Sequence, residues 1–368
     1  MRLHIPGIAL TIVCVFGMGA GLHPLPDAAT VGADADDLSA HTLLFEIGAG
    51  DVYTISADGE TLTELFAHNT VELSNPAWSP DGQLVAFSGN QENNLDVYVI
   101  RADGTDLVNL TQSPEADGIP VWFPDSQRLL FRRWHESNWE SSRLYVMNVD
   151  GTGLLPFLED VRANEFEWSP DGHWLLYSVG PALSNSLYRM SADGHEIVPI
   201  TGSEFDERHT TWSPDGEQIA FVSKREGNFE LYVMDADGSH LQRLTETPDI
   251  MELRPVWSPD GRYIAYRQAQ GSFEPLYVWP TDGTPPVRIG EDQFLYNVDD
   301  YAWSPDSSYL AVCGRGDEGA YLYVVDSRCI ESPSGCGVDD AFNLFADYPD
   351  LARHRYSAIS LSWRPPVE

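Results

Sequence analysis

Lysine is nearly absent from this chain of 368 residues. Lys224 is its single example, and 21 basic residues stand against 57 acidic ones for a formal net charge of -36. A surface of that charge repels phosphate backbones and anionic lipid headgroups, which excludes nucleic acid as a partner and a lipid surface with it. Beyond residue 21 there is no apolar run long enough to span a bilayer, so no membrane insertion is expected past a possible N-terminal anchor. Catalytic signatures are also missing: no G-x-S-x-G elbow, no H-E-x-x-H pair, no phosphate-binding glycine loop and no D-x-D-x-D-G calcium loop. The ten histidines are scattered singly, without metal-ligand spacing, so neither a metal nor a cofactor is expected.

Cysteine is scarce, with four residues. Cys329 and Cys336, with six residues between them, lie in a Ser/Pro/Gly-rich loop and form a candidate local disulfide if the protein is exported. Two free thiols, or a metal site short of ligands, are the alternatives. Cys313 falls in the apolar run Leu310-Ala-Val-Cys313 and reads as a small buried hydrophobe. Cys14 lies in an N-terminal segment with a short basic start, an apolar middle from Ile5 and small residues up to Gly21. That pattern reads as a signal peptide or N-terminal anchor over 1–21, followed by a flexible Ala/Asp/Pro/Gly linker over 22–41. A periplasmic or extracellular location is therefore expected.

From residue 42 the chain repeats itself. Trp78, Trp168, Trp212 and Trp257 each open an identical Trp-Ser-Pro-Asp-Gly. Trp303-Ser-Pro-Asp-Ser307 and Trp122-Phe-Pro-Asp-Ser126 are near copies, and Trp363-Arg-Pro-Pro366 is a worn one. Successive tryptophans are 44, 46, 44, 45, 46 and 60 residues apart. A four-stranded propeller blade has a period of about 40–50 residues. Within each repeat a Pro-Asp-Gly turn leads to an apolar strand, a polar loop, a Leu-Tyr or Val-Tyr strand and, in six cases, an Asp-Gly turn. The folded part begins on Leu43-Leu-Phe45, a second strand without a first, and ends on Ile359–Trp363, a first strand without a second. Joined, they complete one blade and leave no open edge. The prediction is an all-β, seven-bladed propeller over 42–368, with six or eight blades as alternatives.

The series Trp-Ser-Pro-Asp-Gly, apolar strand, Leu-Tyr-Val-Met-Asp-Ala-Asp-Gly, then Leu-Thr resembles the propeller repeat of TolB-type proteins over about residues 43 to 368. Thr111, Thr201 and Thr245 stand where that repeat ends its fourth strand. TolB carries an α/β domain ahead of six blades. This chain has no room for that domain before residue 43 and reads as seven blades. The resemblance thus implies a fold and export to the cell envelope, and not TolB's own partners.

A site is not written seven times over, so the repeated Trp, Asp and Tyr read as packing and turn residues. The residues that break the repeat carry the functional information. First strands line the channel of a propeller. Three positions before each Trp stand Asn75, Ile119, Glu165, His209, Arg254, Asp300 and Ser360, with Asp117, Asn164, Glu207, Arg208 and Asp299 beside them. This polar ring is either a ligand site or a solvated channel. On the loop face, Arg132-Arg-Trp-His-Glu-Ser-Asn-Trp139 joins Trp134 and Trp139 to basic residues, with Phe229, Phe273 and Tyr296 as additions. Arg353-His-Arg-Tyr356 is a second basic, aromatic connection. The ligand-binding candidates are Asn75, Glu165, Glu207, Arg208, His209, Arg254, Asp300, Trp134 and Trp139. The expected function is a monomeric scaffold that binds a protein, peptide or glycan. A lyase or hydrolase with a channel site built from His209, Glu165, Glu207 and Asp300 is the alternative.

Overall fold

Each Trp-Ser-Pro-Asp-Gly copy closes the turn between the first and second strands of a blade, and the side chains show why the motif recurs. In the copy at Trp212, the Ser213 hydroxyl donates to Asp215 Oδ1 (2.5 Å) and accepts from the Gln218 amide (2.9 Å), while Asp215 Oδ1 also accepts from the Glu217 amide (3.0 Å). Gly216 takes a φ of 72°, open to glycine at little cost. The same bonds recur around Ser79–Asp81, Ser169–Asp171, Ser258–Asp260 and Ser304–Asp306. The two near copies place serine where the others have glycine. Ser126 and Ser307 accept that φ > 0 position and use their hydroxyls to catch the Asp81 and Asp260 amides of the preceding blade, at 3.1 and 3.0 Å.

The computed structural model describes residues 38–47, 51–66, 72–91, 94–135, 138–158, 163–180, 184–202, 204–271, 273–290, 295, 297–316, 319–332, 335–337, 340–348, 351 and 361–366. They form seven four-stranded antiparallel sheets. Blades one to six begin with the strands Glu72–Trp78, Ala116–Trp122, Ala163–Trp168, Glu207–Trp212, Met251–Trp257 and Asn297–Trp303. The seventh is shared between the two ends of the chain. Leu361–Trp363 pairs with Thr42–Ile47, with Phe45 opposite Leu361 and Leu43 opposite Trp363. The seven-bladed ring and its closure are thus as the repeat count predicts.

Apolar clusters lie between blades rather than within them, because each sheet is covered on both faces by its neighbours. The recurrent tyrosine of the third strand stacks across the sheet on the aromatic of the second, as in Phe87–Tyr98 (5.6 Å) and Phe221–Tyr232 (5.8 Å). The tryptophan indole links blades. Trp122, Trp212, Trp303 and Trp363 donate Nε1–H to the carbonyls of Ala77, Glu167, Val256 and Ala302, each one blade back.

Blade six is the irregular one. After Gly319–Asp326 a 3-10 turn over Ser327–Glu331 leads into a closed Cys329–Cys336 disulfide. Cys336 lies alongside Ile289, accepting from the Gly290 amide (3.0 Å), so the loop covers the outer strand of blade five. Cys313 is buried and outside any disulfide. Among the described residues no helix is long and apolar enough to cross a membrane. The predicted signal and most of the linker, Arg353–Tyr356, Ser360, Tyr296 and the side chains of Asn164 and Trp139 lie outside the described residues.

Candidate functional site

Counting three residues back from each Trp marks a structural event. In blades one to five the pairing of first and second strands slips just there, as a β-bulge, and in blade six it slips one residue earlier, at Asp299. Asn75, Ile119, His209 and Arg254 take φ values of 57°, 57°, 52° and 52°. A non-glycine residue in that region costs roughly 1–2 kcal/mol, so the conformation persists where its surroundings hold it. The holding groups come from the preceding blade: Ser88 Oγ accepts from the Ile119 amide (2.8 Å) and Glu165 Oε2 from the His209 amide (2.6 Å). Glu46 takes the Asn75 amide in the same way.

The bulges turn a set of unlike polar groups toward the axis. His209 Nε2 stands 3.5 Å from Glu165 Oε1 in the blade before it. Arg254 Nη2 stands 3.2 Å from Asp300 Oδ1 in the blade after it, and Arg254 Nη1 donates to the Asp299 carbonyl (3.2 Å). Asp300 Oδ2 accepts from the Leu361 amide (2.9 Å), which carries the chain of contacts into blade seven. The side chains of Glu165, His209 and Arg254 keep 35%, 26% and 44% of their surface open, as expected of groups lining a wet channel.

Burial and neighbouring charge set the protonation of this arc. His209 is pushed down to about 4, first by desolvation and then by the charges of Arg254, Arg267 and Arg208, so at neutral pH it is uncharged. Its Nδ1 has no hydrogen-bond partner among the described residues. Desolvation raises Glu165 and Asp300; the His209 amide chiefly opposes it at Glu165, and the Arg254 charge at Asp300. Glu167 is pushed up to about 8 by burial, although it accepts from the Thr211 hydroxyl (3.2 Å) and the Trp212 amide (3.4 Å). Glu167 escaped the sequence reading, which counted three residues back. One residue back in the same register the positions are Ala77, Val121, Glu167, Thr211, Val256, Ala302 and Ser362, and Glu167 alone among them is charged.

The structure brings Glu165, His209, Arg254 and Asp300 together, with Asn75 exposed at the equivalent bulge of blade one. Glu207 and Arg208 are placed elsewhere. Glu207 is fully buried against Arg225 (2.5 Å), beside a cleft of 460 Å³ lined by Ile200, Thr201, Phe205, Arg225, Met234 and Leu241. Arg208 pairs with Asp206 (2.8 Å) and lies over the Phe229 ring. Trp134 is half-buried, and a Cβ on Gly118 would stand 3.2 Å from its ring. Arg133 beside it forms a bidentate pair with Asp117 (2.6 and 2.7 Å), and Arg132 is buried. Phe229 is buried and Phe273 half-buried, each under a basic side chain. Among the described residues no three His, Cys, Asp or Glu side chains gather as a metal set.

Fold and channel together define a class: a seven-bladed β-propeller with a polar, mixed-charge axis. Comparison with known proteins agrees and goes a step further. Residues 34–183 match the model of the Tricorn protease N-terminal beta propeller domain. TolB of Acinetobacter baumannii superposes with a TM-score of 0.53 at 14% identity, over 93% of this chain and 88% of that one. An oligogalacturonate lyase in complex with manganese gives 0.58 at 13%, over 77% and 81%. A puromycin hydrolase gives 0.64 at 13%, over 84% and 52%. Among curated relatives, an uncharacterized protein of Agrobacterium fabrum is 26% identical over 137 residues, covering 34% of this chain and 46% of that one. The uncharacterized peptidase YuxL of Bacillus subtilis is 24% identical over 149 residues, covering 31% and 23%. This chain thus spans less than half the length of these relatives, and at such identities the solved structures share its fold.

Proposed function

We propose that this chain is an exported, TolB-like binding propeller that takes an acidic group of a protein, peptide or glycan at the mouth of its channel. The observation that carries this reading is the arc Glu165–His209–Arg254–Asp300. Four unlike polar side chains from four successive blades converge on the axis, three of them displaced there by bulges or bulge-held contacts. Arg254 supports the sign of the ligand. Its side chain is half open on a protein of net charge -36, and it offers a planar donor fork to a carboxylate or sulfate. Neutral His209 beside it supplies a hydrogen bond without adding charge. The Cys329–Cys336 bridge and the N-terminal pattern support export.

The experiment is an array of oligosaccharides and peptides of both charge signs, probed with the folded protein and its Arg254→Gln variant. Acidic probes are expected to bind, and binding to weaken at least about tenfold in the variant. Retention of neutral or basic probes alone, or equal binding by both proteins, would refute the reading.

A further inference from the structure

The Trp register exposes a second set of side chains, away from the channel. Five residues before the tryptophan, blades two, four and five place an acid with no exposed surface: Asp117, Glu207 and Glu252. Each sits in the seam against the preceding blade. Two of them have an arginine of their own blade, Arg133 for Asp117 and Arg225 for Glu207. Glu252 has none. Eleven residues after the tryptophan, where blade two has Arg133, blade five has Gln268, whose Nε2 reaches Glu252 Oε1 at 3.3 Å.

The seam around Glu252 is also more acidic than its counterparts. Across it lies Glu230 of blade four, buried and immediately before the Leu231-Tyr232 pair. Arg243 Nη2 (3.1 Å) and the Thr247 amide (2.8 Å) bond to Glu230 Oε1, and the Thr245 hydroxyl to Glu230 Oε2 (2.8 Å). The Thr247 hydroxyl stands between the two acids, 2.7 Å from Glu252 Oε1 and 3.3 Å from Glu230 Oε2. Glu252 Oε2 and the hydroxyl of the buried Tyr266 have no hydrogen-bond partner among the described residues. Lys224 and Arg208 of blade four lie over the Phe229 ring, and Arg267, beside Gln268, pairs with Glu274 (3.1 Å). Two buried carboxyls therefore share one arginine. One negative charge is balanced, and a second would be stranded in the seam.

We propose that the seam between blades four and five is a proton-operated latch: it is closed while Glu252 carries a proton on its unpartnered oxygen and loosens when that proton leaves. The proton removes the unbalanced charge and gives Oε2 a hydrogen to donate. Desolvation, then the neighbouring Glu230 charge, raises the Glu252 carboxyl, which keeps the proton bound at mildly acidic pH. The latch bears on the channel through the backbone. Glu252 anchors the start of its strand to blade four by its amide on the Phe229 carbonyl (3.0 Å), and Arg254 stands two residues further along that strand.

Hydrogen exchange of the full protein, read over residues 247–257 and corrected for intrinsic rates, tests this without any ligand. The seam peptide is expected to open about tenfold more readily at pH 8 than at pH 6, while residues 111–122, at the arginine-balanced seam of Asp117, change little. Glu252→Gln, which fixes the neutral form, is expected to abolish the difference. Gln268→Arg, which restores the arginine that blade two has, is expected to do the same by holding the charged form. A pH difference that survives Glu252→Gln, or its absence from the unaltered protein, would overturn the proposal.

Discussion

The tryptophan of each repeat fills the gap between blades, but its indole nitrogen is not used equally. Trp122, Trp212, Trp303 and Trp363 donate to the preceding blade, whereas Nε1 of Trp78, Trp168 and Trp257 is buried without a hydrogen-bond partner among the described residues. A buried hydrogen bond contributes about 1 kcal/mol net, and a buried orphan donor carries a cost of its own. Replacement by phenylalanine should therefore split the series. Trp363→Phe should cost about 1–2 kcal/mol more than Trp257→Phe in urea unfolding followed by circular dichroism. Equal costs would show that the indole contributes through its area alone. The motif's Ser and Asp are likewise spent on their turn. Asp171 and Asp215 accept from the preceding serine and from the amide two residues on, which holds both carboxyls below their ordinary value.

At the scale of the strand, the bulge three residues before Trp organises the channel. It was legible as a position and not as a shape. The register picked out Asn75, Glu165, His209, Arg254 and Asp300 because these residues differ while their neighbours repeat. The bulge itself is set by an amide held from the preceding blade, which no local pattern records. That same geometry separates Glu207 from His209, two residues away in sequence: the strand slips between them, and the first is taken into a seam by Arg225. The aromatic loop near Trp134 reads in sequence as a basic patch. In space Arg133 is neutralised by Asp117, a partner sixteen residues earlier that only the sheet pairing brings alongside. Ile119 offers a test of the bulge. It is β-branched and holds a φ of 57°, where blade one has Asn75. Ile119→Asn should be neutral or stabilise by up to about 1 kcal/mol, despite the lost apolar surface, because asparagine tolerates that conformation. A loss above about 2 kcal/mol in the same unfolding assay would show that side-chain packing, not backbone strain, rules the position.

At the scale of the whole molecule, the ring is closed by three residues, Leu361–Trp363, with the Arg364 amide on the Thr42 carbonyl (2.8 Å) and the Arg364 side chain on the Gly82 carbonyl of blade one (2.9 Å). Buried carboxyls around that ring make its stability depend on pH. Desolvation pushes Glu46 up to about 7 and Glu167 up to about 8. Each holds a proton in the folded protein that the unfolded chain releases near 4.5, so its contribution is full below that value and is lost as pH rises through 7 and 8. His209, held neutral down to about 4, works in the opposite direction between 6.5 and 4 and offsets part of this gain. The turn aspartates lose their bonds below about 4. Stability is therefore expected to peak near pH 5 and to fall by on the order of 3 kcal/mol by pH 9, measured as urea midpoints in constant ionic strength. A maximum at pH 7 or above would contradict the protonation states assigned here.

The central claim is that the channel arc, and not the repeated turn face, carries the function. Arg262 provides the control: it is exposed on the turn face, paired with Asp260 and Glu331. The most direct measurement compares array binding by the unaltered protein, by His209→Ala and Arg254→Gln in the channel, and by Arg262→Gln on the opposite face, each shown to melt as a folded protein. Loss of acidic-probe binding by both channel variants, with Arg262→Gln unchanged, is the result the account predicts. Loss with Arg262→Gln, with both channel variants binding as before, would contradict it.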